Sequence, residues 1–402
     1  MNRTGEHFAS GALVLICLTA FPAWGEVTWQ GQFAAEYRYF PNEPLDPRQR
    51  NEYPSIMAQP ELYIDWDEGR QSLVAVPFYR WDRYDDNRTH GDIRELYWLY
   101  VGDGFETLIG INRLNWSVTE SQHLVNVINQ IDLVENPDRE DFLGQPIVSA
   151  KIYTPIGTWD MFVLPYFRER TFPGARGRLR TQPRVDTDAD ALYESSRKEY
   201  HIDYALRWSQ TFGAWDLGVA HFYGTNRDPL PVLSTTSGGE PVLLPFYELI
   251  HQTGADVQAA LGNWLLKLEA IRRSSNTDVF SAATIGFEYT FFAVRETSLD
   301  IGLVAEYLYD SRGDKALTPF EDDILLGVRL RPNDVQGTLF LFSVIADLDT
   351  PARIYNLEAS RRLTDNVRLS IEARVFEQFQ SGDPFYSFRQ DDYLQLELAY
   401  HF

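Results

Sequence analysis

The chain contains one cysteine, Cys17, in 402 residues. Cys17 sits in an apolar run from Gly11 to Phe21 that follows Arg3 and precedes Pro22-Ala23-Trp24-Gly25, the pattern of a secretory signal with small residues at the cut. The run is too short to cross a bilayer as a helix. Ile16, just before Cys17, is not the small residue that a lipoprotein site requires. Cleavage after Gly25 is expected, so residues 1–25 form the signal peptide and 26–402 the mature domain, which then has no cysteine. Disulfides, thiolate metal centres and a cysteine nucleophile are thereby excluded. Long apolar runs are also missing: no later segment offers the roughly eighteen uninterrupted apolar residues of a membrane helix, so any crossing must use strands. Basic charge is scarce as well. The formal net charge is -22 and the isoelectric point about 4.7, which argues against a nucleic-acid partner because phosphate binding needs a basic surface.

Aromatic residues are abundant: 22 Tyr, 25 Phe and 10 Trp, at a mean hydropathy of only -0.32. An aromatic chain that is not hydrophobic on average suits a barrel with a wet lumen. Val27, Trp29, Gly31, Phe33, Ala35, Tyr37 and Tyr39 alternate with Thr28, Gln30, Gln32, Ala34, Glu36 and Arg38. The last stretch repeats the pattern, with Leu394, Leu396, Leu398, Tyr400 and Phe402 set against Gln395, Glu397, Ala399 and His401. Between them, short connections such as Gly102-Asp103-Gly104, Pro155-Ile156-Gly157 and Thr364-Asp365-Asn366 alternate with mostly longer ones, among them 82–91, 114–144, 169–198, 227–245 and 378–390. The breaks give about eighteen strands, with sixteen as the alternative, and an even number puts both termini on the periplasmic side. The expected fold is all-β: an antiparallel transmembrane barrel. A periplasmic β-sandwich also alternates, but gives no reason for Trp66, Trp81, Trp98, Trp159, Trp208, Trp215 and Trp264 to collect near strand ends. Two segments, 72–81 and 158–168, are apolar on both faces and contain Pro77 and Pro165. Bulges, or an inward loop covering their lumen side, are expected there.

The ending on Phe402 resembles the closing strand of Gram-negative outer-membrane β-barrels, through which the assembly machinery would recognise it. The stretch R-E-L-Y-W-L-Y-V-G-D-G-F-E-T-L-I-G-I-N-R, from Arg94 to Arg113, resembles the hairpin that precedes the constriction loop of general porins. Gly110-Ile111-Asn112-Arg113 departs from the common Gly-Arg-Gln type of ending. The third and longest external connection follows, as in porins, where it folds inward and narrows the pore. The resemblance implies an outer-membrane channel for passive diffusion of small hydrophilic solutes, in contact with outer-membrane lipid and lipopolysaccharide and capable of homo-oligomerisation. No cofactor or metal is implied.

In the candidate constriction loop, 114–144, Leu124, Ile128 and Ile131 stand at helical spacing, which predicts a short amphipathic helix over 123–134. Asp132, Glu135 and Asp138, with Arg139 among them, are expected to form an acidic rim opposite a basic wall. Expected wall residues are Glu36, Arg38, Glu61, Lys151, Asp203, Arg207, Glu288, Asp300, Glu306, Arg329, Arg331, Arg368, Glu372, Arg374 and Glu397, since charge in lipid is costly. The next loop holds Arg168, Arg170, Arg176, Arg178 and Arg180, then Asp186, Asp188 and Asp190. It reads either as an anion-collecting entrance that also suits lipopolysaccharide phosphates, or as a self-neutralising surface. The Asp186 to Asp190 run is not a calcium loop, because Ala191 and Arg197 replace the turn glycine and the bidentate Glu. Two other function classes remain as alternatives: a barrel that sheathes a partner or exports a polymer, and an outer-membrane hydrolase. For the last, no Gly-x-Ser-x-Gly or His-Glu-x-x-His spacing occurs, and His201 with Asp203 reads as a pore-lining pair.

Overall fold

A computed structural model describes residues 25–402; the expected signal segment, apart from Gly25, lies outside the described residues. The strands of the first half are β1 (Val27–Tyr39), β2 (Glu52–Trp66), β3 (Gln71–Asp82), β4 (His90–Gly102), β5 (Phe105–Asn112), β6 (Gln145–Thr154), β7 (Gly157–Leu164), β8 (Leu192–Tyr193), β9 (Asp203–Phe212), β10 (Trp215–Thr225), β11 (Leu230–Thr235) and β12 (Pro241–Tyr247). The second half supplies β13 (Leu249–Leu261), β14 (Trp264–Ser274), β15 (Val279–Phe291), β16 (Asp300–Asp310), β17 (Asp322–Arg331), β18 (Leu339–Asp347), β19 (Arg353–Arg362), β20 (Val367–Glu377) and β21 (Tyr393–His401).

Eighteen of these strands form one antiparallel sheet that closes on itself through β1 and β21. The remaining three, β8, β11 and β12, form a small sheet of their own on two of the long loops. The eighteen-stranded reading holds, and the sixteen-stranded alternative falls. Closure leaves no unpaired edge, the condition for placing strands in lipid. The seam is shorter than the apolar pattern suggests, because β21 pairs with Gln32 to Tyr39, while Val27 and Trp29 pair only with β2. Phe402 ends the ladder by exchanging backbone hydrogen bonds with Gly31 and stacking on Phe33 at 5.3 Å.

Side chains follow the alternation. Trp29, Phe33, Tyr37, Leu396, Leu398 and Tyr400 face outward and are exposed, while Ala34, Glu36 and Arg38 point inward and are buried. Two doubly apolar strands have inward faces covered from within the barrel. Val74, Val76 and Phe78 of β3 are buried, and the ladder between β3 and β4 shifts register at Pro77, where the bulge was expected. Pro165 instead lies just past the end of β7, so it terminates a strand rather than bulging one.

Candidate functional site

The loop of 113–144, here L3, does not remain at the barrel mouth. It leaves β5, crosses to the wall made by β14, β16 and β17, and returns to β3 and β4. At the far wall the Glu269 carboxylate, fully buried, accepts hydrogen bonds from Val118 N (2.7 Å), Thr119 N (3.1 Å), Val125 N (3.1 Å), Ser117 Oγ (2.6 Å) and Thr119 Oγ1 (2.7 Å). Glu306 takes Glu120 N at 2.7 Å and Ser121 N at 2.8 Å. Arg329 then pairs with Glu120 at 2.6 Å. On the return, Asp132 is held by Arg94 at 2.7 Å and by His90 at 3.1 Å, and Glu135 by Arg80 at 2.8 Å.

The helix expected over 123–134 is absent. The segment is a series of turns with one isolated bridge, Ile131 to Phe142. Val125 N donates to the wall carboxylate of Glu269, Ile131 N to the side chain of Gln130, Asp132 N to the Asp141 carbonyl and Val134 N to Thr171, so a helix would forfeit these bonds. Leu124, Ile128 and Ile131 still mark an apolar surface, but an extended one. Val127 and Ile128 pack on Phe162, Leu164, Phe222 and Ile250, and Val125 packs on Ile271 and Phe280. Each of these fully buried side chains adds roughly 1.5–3 kcal/mol to docking. This packing is what covers the inward apolar face of β7.

The acidic rim requires correction. Asp132 and Glu135 do meet a basic wall, but both are sealed from water in a network with Arg80, Arg88, Arg94 and Glu36. Against the cost of burial, His90, Arg94 and Thr171 hold Asp132 well below the usual carboxylate range. His90, Asp132 and Glu135 also lie within metal-ligand distance of one another, but guanidinium groups already occupy their oxygens, and the donor set does not fit a cation. Asp138 and Arg139 are different. Both are partly exposed, paired with Arg374 at 3.2 Å and with Asp228 at 2.5 Å respectively. Burial and neighbouring carboxylates push Asp138 up to about 6 and Asp141 up to about 8. Beside them Glu140 is the open acid of the loop, with 65% of its side chain exposed.

The expected wall residues divide into three groups. Glu36, Arg38, Asp203, Glu288 and Glu306 point inward but are buried as tethers: Arg38 binds Gln395 and the Glu135 carbonyl, Asp203 binds Arg227, and Glu288 binds Arg329. Glu61, Lys151, Arg207, Glu372, Arg374 and Glu397 stand inside with partial exposure or close partners: Arg207 meets Asp256 at 2.6 Å, and Lys151 meets Glu106 and Asp160 at 3.8 Å. Asp300, Arg331 and Arg368 lie at the short-turn mouth. Asp300 caps a turn there, accepting from Ala293 N and Asn333.

Neither reading of the arginine-rich loop, L4, stands. Five of its arginines are neutralised from outside the loop, Arg168 by Asp92 of β4, Arg170 by Asp228, Arg176 by Asp86, Arg178 by Asp391 and Arg180 by Asp46, at 2.5–2.8 Å, and only Arg184 pairs within it, with Asp186 at 3.5 Å. L4 is thus a clamp over the long-loop end, not an anion trap. Sequence reasoning missed Arg80, Arg88, Arg94 and Glu269. Arg80, Arg94 and Glu269 had a readable signal, a charge at an inward position of an alternating strand.

A serine, a histidine and carboxylates do come together in L3. Ser117 Oγ lies 2.5 Å from His123 Nδ1 and donates to Glu269 at 2.6 Å. One hydroxyl proton cannot serve both, so the hydroxyl is spent on Glu269 while His123 donates to it. That order is the reverse of an activated nucleophile.

No family model matches the chain, and no curated protein matches it. Solved structures do align over most of its length. OmpT, an outer membrane protein of Vibrio cholerae in its trimer form, is 8% identical over 94% of this chain and 99% of that one, with a TM-score of 0.47. A substituted form of the Rh. blastica porin is 11% identical over 94% and 100%, with a TM-score of 0.46.

Proposed function

We propose that the protein is a non-enzymatic channel of the Gram-negative outer membrane, oriented with its long loops outside and both termini in the periplasm, through which small hydrophilic solutes diffuse passively. The observation that carries this reading is the double anchoring of L3. A loop held at once by Glu269 and Glu306 on one wall and by Arg80 and Arg94 on the other divides the lumen at a fixed place. Long structured loops of this kind are usually functional. The same filling disfavours the sheath, which needs an open bore.

Water-facing charge is concentrated on the side that L3 leaves uncovered. Glu140 and Glu358 are exposed, Glu120, Asp138 and Glu372 partly so, opposite Arg329, Arg139 and Arg374. Carboxylates exceed arginines in this cleft, so cations should be favoured.

Planar-bilayer recording tests both points. The purified protein should give stepwise conductance with a cation-selective reversal potential, and silence across salts would remove the channel. Neutralising Glu140 and Glu358 together should move the reversal potential toward zero. Neutralising the sealed Asp132 and Glu135 should instead disturb L3 docking. If Glu140→Gln/Glu358→Gln leaves selectivity unchanged, the path lies elsewhere in the lumen.

A further inference from the structure

The outer wall of a membrane barrel is expected to be an apolar band edged by aromatic residues. Near the long-loop end, exposed Tyr37 and Tyr39 of β1, Tyr79 and Trp81 of β3, Tyr204 of β9, and Tyr307 and Tyr309 of β16 supply that edge. Beyond Tyr223 of β10, which pairs with Tyr204, the edge is interrupted on β13, β14 and β15. Residues paired in a ladder point to the same side, so outward rows can be read across the strands. Two rows that start low on β10, Trp215, Ala259, Leu266, Phe287, Ala305 and Leu217, Val257, Leu268, Ile285, are apolar, the second climbing to the edge residue Tyr307 on β16. The next row up is Val219, Ala255, Ala270, Ala283: three alanines side by side. Above it runs His221, Thr253, Arg272, Ser281, with His251 directly higher on β13.

This polar row is preorganised. His221 Nδ1 lies 2.9 Å from Thr253 Oγ1, His251 Nδ1 lies 3.4 Å from His221 Nε2, and Arg272 donates to Ser281 Oγ at 3.3 Å. The outward positions of β10, β13, β14 and β15 hold no Asp or Glu, although the chain as a whole is strongly acidic. Among the described residues Arg272 has no carboxylate partner. Each strand residue climbs about 2.5 Å along the barrel axis at a rise of ~3.3 Å and a tilt of ~40°. Arg272, eight residues above Trp264, is therefore about 20 Å up a band ~25 Å tall. From there the long Arg side chain can extend to headgroup level, where a guanidinium is tolerated and a counter-anion is within reach. Directly beneath lies an open apolar groove of about 510 Å³, lined by Trp215, Val257, Leu268, Ile285, Phe287 and Ala305.

A row of one guanidinium and two imidazoles above an apolar groove is complementary to a phosphorylated lipid. We propose that this face binds the phosphorylated glycolipid of the outer leaflet, lipopolysaccharide, with a lipid A phosphate on Arg272, His221 and His251 and an acyl chain lying in the groove over the alanine row. The choice of the outer leaflet rests on the proposed orientation of the long loops.

The test titrates the intact, detergent-purified barrel with bis-phosphorylated lipid A, with its dephosphorylated form and with phosphatidylglycerol, read by native mass spectrometry. Lipid A should bind one to one, dephosphorylated lipid A at least tenfold more weakly, and Arg272→Leu and His221→Leu should each weaken lipid A by tenfold or more. Both substitutions make the wall more apolar, so insertion should be preserved. Equal binding by the variants, or by the dephosphorylated lipid, overturns the proposal. Stronger binding of phosphatidylglycerol than of lipid A overturns the choice of leaflet. Dissociation of an oligomer by Arg272→Leu with lipid binding unchanged makes this face a contact between copies instead. Single-channel recording on the same preparations keeps the readings apart: Arg272→Leu should conduct as the parent does, and a silent parent would refute the channel without touching the lipid site.

Discussion

Replacing Glu269 by alanine should release the tip of L3 while leaving the barrel intact. The carboxylate is fully buried and accepts three backbone amides and two hydroxyls. A hydrogen bond to a charged group contributes about 1.5–3 kcal/mol net, and a buried donor left without a partner costs about 1–3 kcal/mol. The five bonds do not add, because the freed hydroxyls can turn elsewhere and the tip can move into water. If only two amides stay orphaned in the docked state, the docked form loses about 3 kcal/mol, a shift of roughly a hundredfold in its equilibrium with an undocked one. Single-channel recording is the direct assay. The steady level of the parent should give way to flicker between that level and a larger one, and reversal potential should fall as Glu120 leaves Arg329. Unfolding temperature should change little, because the tether joins a loop to a wall and no strand pairing depends on it. A Glu269→Ala channel with the conductance, noise and selectivity of the parent would refute the claim that L3 is held from this side.

Three further outcomes are expected. Asp141 and Asp138 are raised to about 8 and about 6 by burial among carboxylates, so both gain protons as pH falls from about 9 to 5; negative charge leaves the cleft, and cation selectivity measured from reversal potentials should decline over that window, with a flat profile placing both groups off the ion path. Arg94→Met leaves the buried Asp132 with His90 and Thr171 alone, and breaking one partner of a buried pair costs about 3–5 kcal/mol, so the return arm of L3 should undock and the single-channel level should flicker while the unfolding temperature changes little; a steady parental level would mean that the network relaxes around the gap. Removing Tyr400 to Phe402 takes away the Phe33 to Tyr400 pairing and the Phe402 bonds to Gly31, so the yield of inserted barrel should fall while molecules that do insert conduct normally; normal insertion would make the seam's last residues dispensable.

The barrel was legible because its rules are local. A period of two separates Phe33 from Glu36 and Leu396 from Gln395 without knowledge of any distant residue, and Gly or Asn at a turn marks where the chain reverses. The site was legible only in part. Inward charges at Glu36, Arg207, Glu306 and Arg374 follow from the same alternation, but whether an inward charge faces water depends on what covers it. Glu306 is sealed because Ser121, 185 residues earlier, reaches it. Asp132 and Glu135 look like a solvated rim in sequence, since their partners Arg94 and Arg80 lie 38 and 55 residues away on other strands.

L4 shows most clearly what kind of information sequence withholds. Its arginines have acids close by in the chain, Asp186, Asp188 and Asp190, and local pairing would make the loop self-contained. Instead Arg178 reaches Asp391, which also accepts Leu179 N at 2.9 Å, and Arg180 reaches Asp46. Composition alone could not separate these outcomes, as both conserve net charge. The physical difference is desolvation. An exposed pair within one flexible loop contributes at most about 1 kcal/mol, whereas Arg178 and Asp391 are buried together and over the Phe40 ring, where an unpaired charge would be intolerable. Burial between loops converts charges that would otherwise be interchangeable into a specific set of contacts. That specificity keeps L4, residues 165–202 between β7 and β9, folded over the barrel, next to the cleft that L3 leaves uncovered.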